Sequence, residues 1–418
     1  MLSSFLNTAI RRAFICVFLL LLAEIHPSLA QQGSTIIPDA PVAKDTINQR
    51  DLIDIVVRWL HIRDTDLKVD GRKKIYFSFL PFGASVPGGS GTALITSTTA
   101  GTYLGPRKTT YLSTASFAPY WNFKGRYGLP LRTAVWLPNN TWTIQGDTRF
   151  LNYPQFTWGL GSTHNNTTPL LVDQVYIRFH QQFLKRIKPY LFAGVGYHLD
   201  YHTSIQTDAA PGTLGQYTGY AYGTGSRSFA SGLSVNFLYD SRNNAINPLP
   251  GAYVNLVYRQ QTRILGSDDD WRSLFVDIRK YVSMKPRDPI QQNTLAFWTY
   301  LWTSLDNGTP YLDLPSIGYD PYNRSGRGID QNRYRGKTLY YAEAEYRRDL
   351  TRDGLFGFVV FGNITTVSGT GGLFRNWYPA AGTGLRVKFN NSSKTNIGID
   401  YGFSKGYNSI LISLGEAF

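Results

Sequence analysis

The chain is nearly without cysteine: Cys16 is the single one, and it lies inside an apolar run near the start. A disulfide framework and a cysteine-ligated metal are therefore excluded for the rest of the chain. Ile15, directly before Cys16, is too bulky for the small residue that precedes a lipidated cysteine, so no lipid anchor is expected. Long hydrophobic runs are missing too. Beyond residue 30 nothing approaches the ~20 consecutive apolar residues of a membrane-spanning helix. Enzymatic signatures are equally scarce, with no G-x-S-x-G elbow, no H-E-x-x-H helix and no phosphate loop.

At the amino end, Arg11-Arg12 precede the apolar run Ala13 to Ala23, and Ser28-Leu29-Ala30 offer small residues for cleavage. Residues 1–30 thus read as a signal peptide, which leaves an exported protein that is either soluble in the periplasm or a membrane barrel. Composition favours the barrel. Aromatics make up 15% of the chain while the mean hydropathy is only -0.23, as strands with one apolar and one polar face require. Forty glycines suit turns and crowded inner-wall positions.

The formal charge is +14, and removing Arg11, Arg12 and Glu24 with the signal leaves +13. Nucleic acid is the usual partner of a basic chain. Here the basic residues stand singly on alternating strands, which points to lumen lining or contact with the anionic lipopolysaccharide of an outer membrane, and to no nucleic acid.

Sixteen alternating segments can be traced, near residues 74–80, 92–97, 108–118, 131–137, 142–150, 172–180, 190–202, 229–239, 251–260, 271–281, 293–303, 338–348, 355–364, 382–390, 395–404 and 408–418. In the clearest, Ile397, Ile399, Tyr401 and Phe403 would face lipid while Asn396, Gly398, Asp400 and Gly402 face inward. Charged inward positions such as Arg386, Lys388, Asp147 and Arg149 are expensive in a dry sandwich core and cheap in a watered lumen. Short gaps at Asp349 to Gly354 and Asn391 to Lys394 contrast with long ones at 203–228 and 304–337, the loop asymmetry of an outer-membrane barrel.

The expected fold is all-β, a transmembrane antiparallel barrel of about sixteen strands over residues 74–418, following a short periplasmic segment at 31–73. Within that segment, Asp51 to Leu60 has the apolar spacing of a short helix, open to three readings: lumen plug, periplasmic mouth or plain linker.

The two ends of the barrel define a seam. Ile75, Phe77 and Phe79 fall on one face of the first strand, which runs into Pro81 and is expected to be cut short there, although Pro81 starting a loop is the other reading. Ile410, Ile412, Leu414 and Phe418 share a face of the last strand, expected to run flush to Phe418. An ordinary sandwich strand is the alternative for that segment.

One polar constellation invites a catalytic or metal reading: His198, Asp200 and His202 alternate onto one face of a single strand. Spacing along one strand closes a coordination sphere poorly, so neither a metal, a cofactor nor catalysis is expected. His180 and the acidic run Asp268-Asp269-Asp270 read as lumen and loop residues.

Several motifs together resemble the BamA-like superfamily of outer-membrane barrels, also called the bacterial surface antigen family. They are the loop Gly326-Arg327-Gly328 through Lys337, the strand ending Glu345-Tyr346-Arg347, Tyr239-Asp240-Ser241-Arg242 with Pro250-Gly251, Gly382-Thr383-Gly384-Leu385-Arg386, Asp400-Tyr401-Gly402, and Gly415-Glu416-Ala417-Phe418. The resemblance covers roughly 75–418 and implies a sixteen-stranded barrel whose sixth outer loop folds inward. It also implies that Arg327, followed by Gly328, pairs with an acidic residue on the thirteenth strand. At that position the chain carries Asn363, with Thr365 where the family has glycine, so Glu343 and Glu345 become the substitute partners. Residues 31–73 are too short for the substrate-receiving domains of about seventy-five residues that the resemblance leads one to expect. The function implied is help with insertion or translocation of proteins through the seam, with client proteins and an accessory periplasmic or lipoprotein partner. A passive pore or scaffold subunit is the alternative, and a barrel enzyme comes third.

Overall fold

The computed structural model describes residues 49–59, 75–85, 92–122, 126–161, 168–208, 213–242, 247–248, 250–285, 291–321, 323–369, 372–390 and 394–418. Residues 1–30, expected to be a signal peptide, and most of 31–73 lie outside these residues.

Among the described residues eighteen strand segments form one antiparallel sheet in chain order. The first seven are β1 (Ile75–Ser85), β2 (Thr92–Thr102), β3 (Ser113–Phe117), β4 (Tyr120–Asn122), β5 (Arg126–Trp136), β6 (Trp142–Asn152) and β7 (Gln155–Thr157). A long hairpin follows, β8 (Leu170–Lys188) and β9 (Leu191–Thr207), then β10 (Arg227–Asp240), β11 (Gly251–Gln261), β12 (Trp271–Ser283) and β13 (Asn293–Ser304). The sheet ends with β14 (Thr338–Asp349), β15 (Phe356–Val367), β16 (Tyr378–Asn390), β17 (Thr395–Ser404) and β18 (Tyr407–Leu414).

Two staves are broken. Both β3 and β4 lie between β2 and β5, separated at Pro119, and β7 continues β6 along β8 beyond Pro154. Proline has no N–H for the ladder, which accounts for both interruptions. Counting each broken pair once leaves sixteen staves.

Alternation decides which side each residue faces. On β13, Ala296, Trp298, Tyr300 and Trp302 are buried inside while Phe297 is exposed outside. On β17, Ile399, Tyr401 and Phe403 are exposed and Asp400 is buried. The interior is packed, not a watered lumen as the inward charges suggested: Arg149, Arg178, Asp200, Glu345, Arg347 and Arg386 are all buried. Aromatic rings fill the space between them, with Tyr153, Tyr176, Trp298, Tyr300, Ile317 and Tyr319 in one cluster. At the long-loop end, helix α2 (Thr213–Thr218) contributes Leu214 to a second cluster with Tyr311, Leu312 and Leu314.

Helix α1 (Leu52–Trp59) sits at the short-turn end against β16, tied by Arg50 N–H to the Asp353 carbonyl at 3.1 Å. Asp51 and Asp54 close its first turn reciprocally, at 2.8 and 3.3 Å.

Two expectations about the seam need correction. β1 does not stop at Pro81 but runs on to Ser85, with Pro81 opposite Thr96. Thr96 donates its N–H to Pro119 on the far side, so this is a non-bonded pair of the β1–β2 ladder and the missing N–H of Pro81 faces the seam. The proline costs the ladder nothing there.

At the other edge β18 ends at Leu414, and Gly415, at φ +90°, turns the chain inward. Phe418 therefore leaves the face of Ile410, Ile412 and Leu414 and is buried beside Trp298 and Tyr281, with ring centroids 5.3 and 6.2 Å away. Aromatic partners within offset-stacking range outweigh the gain from extending an edge strand. Among the described residues β1 and β18 come near one another but share no ladder.

Candidate functional site: the inward loop and the seam

Residues 305–337 join β13 to β14 and fold into the barrel. The loop is a polar hairpin of its own, in which Ser316 bridges Arg335, Ile317 N–H donates to Tyr334 and Asn332 N–H to Ile317. Asp320 organises the tip, accepting from the Ser325 N–H at 2.9 Å and from its hydroxyl at 2.5 Å.

The tip delivers Arg327. Its guanidinium donates to Asp400 Oδ2 at 2.7 Å and to the carboxylates of Glu343 and Glu345, and it lies 3.7 Å over the Phe361 ring. One planar cation thus meets three buried carboxylates, a geometry suited to the guanidinium fork. Arg347 supports Glu345 at 2.5 Å, and Arg386 bridges Asp400 at 2.5 Å and Glu416 at 2.8 Å, so the charges nearly balance.

Asn363 is adjacent but plays a different part: its Nδ2 donates to the Arg327 carbonyl at 2.9 Å. With three carboxylates already around Arg327, a fourth at this position would be in excess. An amide can donate where a carboxylate would only repel.

Gly328 has φ +84° and lies directly on Gly402 of β17; a Cβ on either glycine would come within 2.6 Å of the other segment's backbone. The pair of glycines is what lets the loop reach the wall.

The loop also touches the seam. Arg324 donates to the Glu416 carbonyl and, at 3.5 Å, to the Leu414 carbonyl at the end of β18. Arg347 donates to the Phe418 oxygen at 2.9 Å, and Asn396 to Glu416 Oε1 at 2.6 Å. Burial opposes charge on Glu416, yet Arg386 and Arg347 outweigh it and hold its carboxyl below the usual carboxylate range.

Of the residues singled out in sequence, Arg327, Gly328, Glu343, Glu345 and Asn363 therefore come together. Ile75, Phe77 and Phe79 lie on β1 opposite Thr102, Ala100 and Thr98, while Ile410, Ile412 and Leu414 lie opposite Tyr401, Ile399 and Ile397. The two sets share the seam without pairing.

Asp400, Arg324, Arg386 and Glu416 were not assigned to the site from sequence. Asp400 and Glu416 stood inside noted motifs, but nothing in the sequence links the loop to the fifteenth stave.

His198, Asp200 and His202 do face inward, each with a different partner. His198 Nε2 meets Ser234 Oγ at 2.8 Å, Asp200 is taken by His180 at 2.8 Å and Arg178 at 3.1 Å, and His202 reaches Asp313 at 3.0 Å. Among the described residues no group of three potential ligands converges on a metal position. In the run Asp268-Asp269-Asp270, Asp269 pairs with Arg263 at 2.6 Å in the loop after β11.

No protein-family model matches the chain, and no curated protein matches it significantly. Solved structures do. BamA from Haemophilus ducreyi lacking POTRA domains 1-3 aligns at TM-score 0.50 and 14% identity, over 82% of this chain and 69% of that one. The fold is that of a BamA-like outer-membrane barrel. CdiB from Acinetobacter baumannii aligns at TM-score 0.52 and 13% identity over 79% of this chain, and CdiB from Escherichia coli at 0.50 and 11% over 82%. The alignments span 56% and 62% of those two CdiB chains, less than two thirds of each. At such identities the BamA-like likeness concerns the fold.

Proposed function

We propose that this protein is an integral outer-membrane barrel of a Gram-negative bacterium, exported with cleavage of residues 1–30, that assists insertion or translocation of proteins through the β1–β18 seam. The observation that supports the reading is that, among the described residues, the seam carries no ladder in a sheet whose other staves are all paired to their chain neighbours. Unpaired strand edges are templates for an incoming strand. Clients would be outer-membrane or exported proteins, with a periplasmic or lipoprotein partner supplying capture, while the barrel's outer face meets lipid and lipopolysaccharide. The mechanism needs no cofactor and no covalent chemistry. The loop bearing Arg327 braces the wall that stays fixed while the seam moves.

A passive pore is less well supported, since most of the inward charges among the described residues, Arg149, Arg178, Asp200 and Arg386 among them, are buried.

The test is depletion in the native host followed by quantitative outer-membrane proteomics, with a complementing variant whose seam is locked by a cysteine pair on β1 and β18. Loss of many barrel proteins, or of one exported class, on depletion and on locking supports the proposal. An unchanged proteome overturns it in favour of a scaffold.

A further inference from the structure

At the short-turn end of the barrel β8 closes on Phe183-Leu184-Lys185-Arg186-Ile187-Lys188, running three residues past the start of β6, whose Trp142 lies opposite Lys185. Phe183, Lys185 and Ile187 alternate onto the outer face, while Leu184 between them is buried. The Lys185 ammonium lies 5.9 Å from the Trp142 ring centroid, an outward cross-strand pair. Two residues further from this end the outward row is apolar: Phe183 stands opposite Ile144 on one side and Val195 on the other, and Val195 opposite Val235. Val195 is 62% exposed, as a wall that meets acyl chains requires. The change from apolar to basic within one step of the ladder marks the membrane boundary.

Basic charge continues round the rim. Arg186 and Lys188 are exposed, and Arg186 donates to the Asn139 carbonyl in the β5–β6 turn at 2.6 Å. That turn is held in its own right to the β2–β3 loop, with Thr109 Oγ1 donating to Asn139 Oδ1 at 2.6 Å and the Tyr111 N–H to Asn140 Oδ1 at 2.7 Å. The same loop exposes Arg107 and Lys108. The three linked segments 103–112, 137–142 and 183–195 carry five cations and contain no Asp or Glu. Asp240, at the adjoining end of β10, is already held by Arg242 at 2.8 and 2.9 Å.

We infer that this rim is a binding site for an anionic phospholipid, with the headgroup phosphate among Lys185, Arg186 and Lys188 and the acyl chains along the row of Phe183 and Val195. Short turns lie on the periplasmic side of outer-membrane barrels, so the lipid is one of the inner leaflet. The inference rests on the barrel's lying in a membrane and not on the activity of the seam.

Folding gives no reason for the charge. Like charges gathered without a carboxylate repel one another, whereas inside the barrel arginines are matched, as Arg178 is by Asp147 and Asp200. The missing counter-charge must come from outside the chain. Phosphate suits the three side chains, because ammonium and guanidinium groups both give its oxygens charge-assisted hydrogen bonds. The apolar row directly beyond them favours a lipid over the acidic face of a protein, which would gain nothing from that row.

The experiment places the full barrel in nanodiscs of phosphatidylglycerol and phosphatidylcholine in equal amounts and counts the lipids that leave with it by native mass spectrometry. Wild type should retain phosphatidylglycerol over phosphatidylcholine by on the order of tenfold. Replacing Lys185, Arg186 and Lys188 together by Gln should bring the two lipids to parity, and the charge-preserving set Lys185→Arg, Arg186→Lys and Lys188→Arg should keep the preference. Removing equal charge at the long-loop end, with Arg227→Gln, Arg375→Gln and Lys405→Gln, should leave it unchanged. Equal retention of both lipids by wild type overturns the site and leaves the rim to an acidic protein. Equal loss in the two neutralised variants overturns it in favour of net charge alone. Should losing the Arg186 bond prevent folding, Lys185→Gln with Lys188→Gln decides on the same terms. A barrel that enters no nanodisc overturns the membrane placement and the site together, while one that enters without preference overturns the site alone.

Discussion

The staves beside the seam and the wall from β12 to β17 are built to different standards. β2 reads Thr-Ala-Leu-Ile-Thr-Ser-Thr-Thr-Ala-Gly-Thr, small or hydroxylated throughout except at Leu94 and Ile95, and its neighbour β3 has five residues before Pro119 interrupts the stave. Among the described residues β1 has no ladder on its outer edge. Across the barrel, β13 and β14 pair in continuous register, with the rings of Trp298, Tyr300 and Tyr341 in mutual contact inside, centroids 5.2 to 5.6 Å apart. There the loop adds Arg327, and the carboxylates of β14 and β17 complete a network. Among the described residues the inward ionic network is concentrated on the side from β12 to β17.

Removing the brace is the sharpest way to break that contrast. Arg327→Ala strands Glu343 as a buried carboxylate and leaves Glu345 with Arg347 and Asp400 with Arg386 as their remaining cations, and losing one partner of a buried ionic group costs about 3–5 kcal/mol. Thermal unfolding of the purified barrel should fall steeply, with loop 305–337 becoming protease-sensitive. Arg327→Lys keeps the charge but not the fork, and should recover part of the loss. A stable, protease-resistant Arg327→Ala barrel would mean that the loop is held elsewhere.

Contact between loop and wall should be the next largest effect. Gly402 has ordinary backbone angles, so Gly402→Ala tests space alone: its Cβ would meet the Gly328 nitrogen at 2.6 Å. Overpacking of this kind costs about 1–3 kcal/mol. Gly328→Ala meets the same wall and adds strain from φ +84°, so it should be the worse of the two. Equal melting temperatures for the two variants would remove strain from the account.

How much of this was legible in the sequence depends on what each feature rests on. Strand periodicity is local, and all sixteen staves followed from alternation, including the strand carrying Asp400 and Gly402. Arg327 and its two glutamates were readable because a resemblance marked the loop and because Glu343 and Glu345 share a face two residues apart. Asp400 was not readable as a partner, since contact across three staves depends on where the loop tip lands. The tail was misread for a related reason: alternation continues to Phe418, but Gly415 can turn, and a distant aromatic wall on β13 offers more than an edge does. The packed lumen was missed because inward charge looks the same in sequence whether water or arginine satisfies it.

Asn363→Asp sharpens the comparison by restoring the residue that the superfamily resemblance leads one to expect. The Nδ2 donor to the Arg327 carbonyl is lost and a fourth carboxylate enters a site whose charges nearly balance. Destabilisation of about 1–3 kcal/mol should follow, read as a lower unfolding temperature. If stability rises instead, the network has spare positive charge and Arg386 or Arg347 is underused.

The smallest effect should come from the tail, which joins the braced wall to the end of β18. Glu416→Gln removes the ion pair with Arg386 at 2.8 Å while keeping a side chain that Asn396 and Arg386 can still contact. Its native carboxyl titrates below the usual range, so its contribution is present above the unfolded value near 4.5 and is lost as pH falls through the folded value. Wild type should therefore exceed Glu416→Gln in stability at neutral pH, by about 1 kcal/mol, and the gap should close on acidification. A gap that persists in acid would assign the effect to packing around Phe418 and not to charge. The tail would then act as an apolar plug, and only Arg324 would couple the loop to the end of β18.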